Sequence, residues 1–330
     1  MAHHKLPFDW FLVGIIVFAL LGSFLPAPTT FMPAVDWTAK IMIGVLFFLY
    51  GVRLRPDQTI TGLKHWRLHA TILSYTYILF PLLGLLIGLA SPTIISPETY
   101  RGLLWICLLP STVQSSINFT SIARGNVAGA IVSASTSNLL GVFITPLLAL
   151  ALMGTTGLHV APSSILDIGA QILLPFVLGQ LSRRWTADFV YRHPKLKYFD
   201  QASIFVVVYR AFSQGMHEGI WQRTSLPDLL IIVLFTLAIL AFTLWATWWG
   251  AGLLGFSRAD QIAIQFCGSK KSLATGVPMA SVIFASSGVG LIVLPLMIFH
   301  QVQLMACGAL ASHYSRKSEE WHQVRGRKNQ

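Results

Sequence analysis

The chain has 330 residues, 54% of them hydrophobic and only 11% charged, with a mean hydropathy of +0.66. A soluble domain carries about 25% charged residues, so this composition excludes a water-soluble globule and predicts an all-α protein that crosses a bilayer many times. The formal net charge of +11 does not indicate nucleic acid, because the basic residues collect in alternate loops.

Apolar stretches of about 20 residues, the length that crosses a hydrocarbon core, predict ten spans. The first runs from Asp9 to Leu25 and is closed by Pro26. It follows His3, His4 and Lys5 with no convincing small-residue cleavage site, which predicts a retained helix. The second runs from Thr38 to Val52 and the third from His69 to Ala90. The fourth, Tyr100 to Ile122, is interrupted near Pro110. The fifth runs from Val127 to Met153 and the sixth from Ile165 to Leu181, followed by a basic loop from Ser182 to Tyr198. The seventh, Gln201 to Gly219, is the most polar. The eighth runs from Leu229 to Leu254, the ninth, broken, from Gln261 to Ala285, and the tenth from Val289 to Ala311. Cys107, Cys267 and Cys307 all fall in apolar segments and read as small buried hydrophobes rather than a disulfide set.

With the N-terminus in the cytoplasm, 17 lysines and arginines fall in cytoplasmic segments and two, Arg101 and Arg223, in the opposite loops. This bias predicts both termini inside, in the inner (plasma) membrane. The basic loop near the midpoint separates five spans from five, residues 1–153 from 154–330. Two halves with an odd number of spans have opposite orientations, the arithmetic of an inverted repeat. The fourth and ninth spans are then equivalent, and both are interrupted.

The ninth span carries the most unusual stretch, Phe266 to Pro278, with Lys270 and Lys271 adjacent among Gly268, Ser269, Ser272, Thr275, Gly276 and Pro278. Glycine, hydroxyl residues and proline together predict a helix that breaks inside the bilayer, which survives only where protein or a water-filled cavity solvates the freed backbone. Discontinuous helices of this kind carry the substrate and ion sites of secondary transporters. A lysine at mid-bilayer costs on the order of 3 kcal/mol. Snorkelling to an interface rescues one such residue more easily than two neighbours. In the fourth span, Ser115, Ser116, Asn118, Thr120 and Ser121 follow Pro110. Helix–helix glue and an unwound ligand-binding segment both account for them, and their density beside the proline favours the second. Ser133, Ser135, Thr136, Ser137 and Asn138 on the fifth span read first as packing.

The twelve acidic residues all fall in loops, tails or near span ends, so Lys270, Lys271 and Arg210 have no expected carboxylate partner. Cationic groups without a counter-ion, beside helix N-termini, suit an anionic ligand. A packed Arg210 bonded to neighbouring carbonyls remains the alternative. His300, Gln301 and Gln303 in the tenth span need partners, and His300 reads as a core residue or a proton relay. The candidate substrate or ion site is Ser115, Ser116, Asn118, Thr120, Arg210, Gln265, Ser269, Lys270, Lys271, Ser272 and His300. No metal-ligand spacing, catalytic triad or phosphate loop appears, so neither an enzyme nor a cofactor is expected.

Ala-Arg-Gly-Asn-Val-Ala at Ala123–Ala128, after a Ser/Asn-rich broken span, resembles the bile acid:sodium symporter family, as does Cys-Gly, a polar break and Leu-Ala at Cys267–Ala274. Gly-Ser-Lys-Lys-Ser-Leu-Ala-Thr-Gly-Val-Pro is similar to the SBF-like bacterial branch, related to the seventh vertebrate bile-acid carrier. The resemblance covers nearly the whole chain. It implies a panel domain of spans 1, 2, 6 and 7, a core domain of the rest with spans 4 and 9 crossing, substrate between the domains and sodium behind the crossing. The family's glutamate before Cys-Gly is here Phe266, its following glutamine is Lys270, and the Ser and Thr of its fifth span align with Ala130 and Ala134. The Lys270 ammonium then stands in the place of a cation.

The expectation is therefore a secondary transporter of a small organic anion without the usual two-sodium coupling. Its only other partner is the lipid bilayer, and Lys270 is a titrating group that links binding to protons. A sodium-coupled organic anion symporter and a membrane regulatory protein that keeps the fold without transport stay as alternatives. Lys270 separates transport from scaffold: exposed to a cavity in a transporter, capping carbonyls in a packed scaffold.

Overall fold

The computed structural model describes residues 10–53, 65–154, 169–217, 219, 225–284 and 288–328, and among these the chain is helical with no strand. In chain order the helices are α1 (Trp10–Phe24), α2 (Met32–Arg53), α3 (Trp66–Gly88), α4 (Pro97–Leu108), α5 (Gln114–Ile122) and α6 (Val127–Met153). They continue as α7 (Leu174–Arg192), α8 (Leu196–His217), α9 (Leu226–Leu253), α10 (Arg258–Gly268), α11 (Leu273–Ile283) and α12 (Val289–Lys328). Five of them, α2, α3, α6, α9 and the Val289–Arg316 part of α12, are long and apolar enough to cross a membrane. The interrupted spans fall short because each half is only 9 to 12 residues.

The starts of these helices follow from short polar side chains that accept from the first orphan N–H groups. Ser96 accepts from Thr99 N ahead of α4, Asn126 from Gly129 N ahead of α6, Ser257 from Asp260 N ahead of α10 and Ser272 from Thr275 N ahead of α11. Ser225 and Asp228 form a reciprocal capping box on α9. Helix α3 contains one π turn, Tyr75–Leu79, in which Phe80 N reaches back to Tyr75 O. The next residue, Pro81, has no N–H to offer Thr76 O, so one carbonyl inside α3 is left without a main-chain donor.

α2 packs along α7, and α1 along α8, with α8 also against α2. The α2–α7 approach is set by Gly51, whose Cα faces Phe176 O, and Gly179, which faces Phe48 O; a Cβ on either would strike that carbonyl. A large apolar cluster built around Trp105, Phe284, Phe299 and Phe80 holds α3, α4, α11 and α12 together. Cys107, Cys267 and Cys307 are buried free thiols, as expected from their apolar surroundings.

Three expectations are corrected. The basic stretch from Ser182 is not a long loop: α7 runs through it to Arg192, and only a short turn precedes α8 at Leu196. Its charged residues are compatible with a helix leaving the bilayer, and Arg192 pairs with Asp188 one turn earlier at 2.7 Å. Helix α2 begins at Met32, well before Thr38, because Pro33 suits a first turn. Asp36 thus lies inside a helix rather than in a loop, and it pairs with Arg210 of α8. The reading of Arg210 as a cation without a carboxylate is therefore wrong. The start of the sixth span at Ile165 and Arg223 of the seventh–eighth connection lie outside the described residues.

Candidate functional site

The two predicted breaks exist: α4 stops at Leu108 and resumes as α5 at Gln114, and α10 stops at Gly268 and resumes as α11 at Leu273. They meet each other. Ser272 N donates to Pro110 O at 2.9 Å, and Ser111 Oγ donates to Cys267 O at 2.6 Å.

A helix that stops in a dry interior leaves its last carbonyls unpaired, and here those carbonyls can be followed one by one. At the end of α4, Ile106 O takes Leu109 N, Leu108 O takes Thr145 Oγ1 at 2.8 Å, and Cys107 O and Leu109 O take the Lys271 ammonium at 3.4 and 2.7 Å. Pro110 O takes Ser272 N, and Ser111 O takes Asn138 Nδ2 at 2.6 Å. At the end of α10, Gln265 O takes Ser269 Oγ, Phe266 O takes Ser116 Oγ and Cys267 O takes Ser111 Oγ, at 2.6, 2.9 and 2.6 Å. The hydroxyl-rich sequence of both breaks is thus largely the set of donors that the broken backbone needs.

The two lysines are both fully buried and do different things. Lys271 Nζ donates to Thr76 O, Leu109 O and Cys107 O, the first being the carbonyl that Pro81 leaves free, and it lies 3.9 Å from the centroid of the Phe80 ring. Its main chain is bracketed by one amide: Gln303 Oε1 accepts from Lys271 N and Gln303 Nε2 donates to Lys271 O, both at 2.9 Å. Lys270 Nζ points the other way. It donates to Ser115 Oγ at 2.6 Å and lies 4.3 Å from the Phe119 ring centroid. Lys271, not Lys270, is the ammonium enclosed by carbonyls.

A cavity of about 910 Å³ lies against this meeting point. One wall is Phe11, Tyr50, Arg53, Phe176, Tyr191, Asp200 and Gln201, from α1, α2, α7 and α8. The other includes Thr112 to Ser115 and Asn118 at the start of α5, Ser272 to Thr275 at the start of α11, and Asn138 and His300. Both half-helices therefore present their amino ends to the same space, and the first turn of α5 has no side-chain cap at Val113. Arg53 and Asp200 form an ion pair on the facing wall.

Of the residues singled out from the sequence, Ser115, Asn118, Ser272 and His300 line the cavity. Ser116, Thr120 and Ser269 spend their hydroxyls on carbonyls. Gln265 is bound between Leu244 O and Tyr314 Oη, and Arg210 is held by Asp36, neither of them on the cavity wall. Lys270 and Lys271 stand behind the wall, so Lys270 neither opens onto the cavity nor caps carbonyls: the Ser115 hydroxyl stands between it and the space. His300 Nδ1 accepts from Gln303 Nε2 at 2.9 Å, which ties the cavity-lining imidazole to the Lys271 clamp.

Sequence reasoning read Asn138 as packing, whereas it bridges Ser111 O and Thr275 Oγ1, and it missed the clamp made by Gln303 and the Arg53–Asp200 pair. The available signal for Asn138 was an amide at the end of the hydroxyl run of the fifth span. The pairing of Arg53 with Asp200 had none, since 147 residues separate them.

Comparison with known proteins gives a consistent picture. The profile of the SBF-like CPA transporter family matches residues 9–316. PA2026 of Pseudomonas aeruginosa is 49% identical over 314 residues, 94% of each chain. The candidate symporter YfeH of Escherichia coli (strain K12) is 46% identical over 313 residues, again 94% of each. Sodium/bile acid cotransporter 7 of Mus musculus is 28% identical over 307 residues, 90% of this chain and 89% of the relative.

Proposed function

The chain belongs to the SBF-like CPA transporter family, and from that premise we propose that it is a secondary transporter of a small organic anion that works without the two-sodium coupling of better-known relatives. The observation that carries this reading is the shared orientation of α5 and α11. Two helix amino termini, with the partial positive charge of their free N–H groups, face one cavity, and the Lys270 ammonium lies one hydroxyl behind it. A carboxylate or sulfonate placed there would accept from the uncapped first turn of α5 and draw on the charge of Lys270 through Ser115. The apolar residues Phe11, Ile131, Leu139, Val142 and Phe176 would receive its body.

In this proposal the protein has ten spans in two inverted halves, 1–153 and 154–330, with both termini cytoplasmic in the inner membrane. The group α1, α2, α7 and α8 acts as a panel and the rest as a core, with substrate alternately exposed by movement of one against the other. The contacts of α2 with α7 and of α1 with α8 support that grouping, and the basic residues of alternate loops support the orientation.

A sodium-coupled organic anion symporter is the second reading, favoured by the name of the vertebrate relatives. Against it stand Phe266 and Lys270, where oxygen ligands would be required, and two buried ammonium groups already at the crossing.

The test is thermal stabilisation of the purified chain by mono- and dicarboxylates, sulfonates and taurocholate, each in sodium chloride and in choline chloride. At least one anion should stabilise equally in both salts. Stabilisation seen only in sodium would favour the second reading, and none by any anion would remove the first.

A further inference from the structure

The surroundings of Lys271 have the composition of a cation site. Three backbone carbonyl oxygens, Thr76 O, Leu109 O and Cys107 O, lie 3.0, 2.7 and 3.4 Å from Nζ, and the face of Phe80 closes a fourth side at 3.9 Å to its centroid. All four present negative charge. Two of the carbonyls belong to the carboxyl end of α4, where the helix dipole adds to it. The third exists because Pro81 cannot donate to Thr76 O in the π turn. A water molecule could donate to only two of these oxygens. Among the described residues no ion pair includes Lys271, and without a carboxylate a divalent cation would be undercompensated. Unwound carbonyls and the carboxyl ends of half-helices are the groups that hold monovalent cations in discontinuous-helix transporters.

We propose that the Lys271 ammonium is a tethered cation: it permanently fills a carbonyl cage joining α3, α4 and the α10–α11 link, and without it the cage takes a small alkali cation. The Gln303 amide fixes the Lys271 main chain on both sides, so the charge is delivered with little conformational freedom. The core is thereby locked without any dissolved ion. The cage and its occupant are independent of the identity of the substrate, and the readout below uses no organic anion.

The experiment compares wild type, Lys271→Ala and Lys271→Met by thermal unfolding of the full chain in choline, lithium, sodium and potassium chloride. Wild type should melt at the same temperature in all four. Lys271→Ala should melt lower in choline and recover at least half of the loss, saturably, in one or more of the alkali salts. Lys271→Met keeps the stem against Phe80 but not the charge, and should also be destabilised in choline. A Lys271→Ala protein indifferent to the salt would overturn the proposal. So would Lys271→Met as stable as wild type in choline, or a wild type with its own saturable alkali response of equal size. Should Lys271→Ala not survive purification in choline, membranes are solubilised in each salt and read by size exclusion. A monodisperse peak in an alkali salt but not in choline supports the tethered cation, and none in any salt refutes it.

Discussion

The Lys270 ammonium donates to the Ser115 hydroxyl at 2.6 Å, and of the two residues Ser115 is the one on the cavity wall. The charge is thus close enough to act on a ligand and is kept from water by the first turn of α5. A charged Lys270 attracts an anion and a neutral amine does not. Anion affinity should therefore fall as pH rises through the titration of Lys270, with protons taken up on binding. Lys270→Gln should weaken binding about tenfold or more, roughly 1.4 kcal/mol per factor of ten, and flatten the pH profile. Lys270→Arg should bind without titrating, since a guanidinium stays charged. Calorimetry at several pH values reads all three, and a Lys270→Gln protein with the wild-type profile would remove Lys270 from the mechanism.

The Arg210–Asp36 pair ties α8 to α2. Arg210 is 8% exposed, so its loss should exceed the small value of a surface pair, while partial exposure of Asp36 keeps it below that of a fully buried one. Arg210→Gln alone should cost on the order of 1–3 kcal/mol, and Arg210→Gln with Asp36→Asn less than the sum of the two single changes. Thermal unfolding of the four proteins provides the cycle. Additive effects would mean the pair contributes nothing as a pair.

Gly51 and Gly179 let α2 and α7 touch backbone to backbone. Close approach through small residues is a main source of helix affinity in bilayers, and an added methyl here meets a carbonyl that cannot rotate away. Each change to Ala should destabilise by roughly 1–3 kcal/mol. Gly154, which has open space around its Cα, serves as the control that should change little. Equal melting temperatures for Gly179→Ala and Gly154→Ala would contradict the packing described for this pair of helices.

The three native cysteines are fully buried, so a single introduced cysteine reports sidedness without a cysteine-free background. Thr93→Cys, between α3 and α4, should react with an impermeant maleimide from the outside, and Ser257→Cys, between α9 and α10, only after the membrane is opened. The same sidedness for both would refute the orientation inferred from lysine and arginine.

The breaks were legible because they violate local expectation: Pro110 with a run of hydroxyls, and two lysines among glycines, have no place in a continuous lipid-facing helix. What they do was harder to read. Ser116, Thr120 and Ser269 resemble ligands in a sequence, yet their hydroxyls go to carbonyls of their own or the facing break. That use depends on which chain ends meet. The same limit hid Arg210, whose partner on α2 lies 174 residues away. Composition also underestimates α7, because its charged residues read as a loop yet extend the helix beyond the apolar stretch. In the sequence the two lysines are adjacent and alike, and only the resemblance gives Lys270 a place of its own. Only the direction of each side chain assigns the carbonyl cage to Lys271 and the Ser115 hydroxyl, behind the cavity wall, to Lys270.

The most direct test of the account is uptake of the anion that stabilises the protein best, in radiolabelled form, into proteoliposomes with choline replacing sodium on both sides. Wild type should accumulate it at close to the rate seen in sodium, and Lys270→Gln should accumulate little in either salt. Uptake by wild type that vanishes in choline, or uptake by Lys270→Gln equal to wild type, would contradict it.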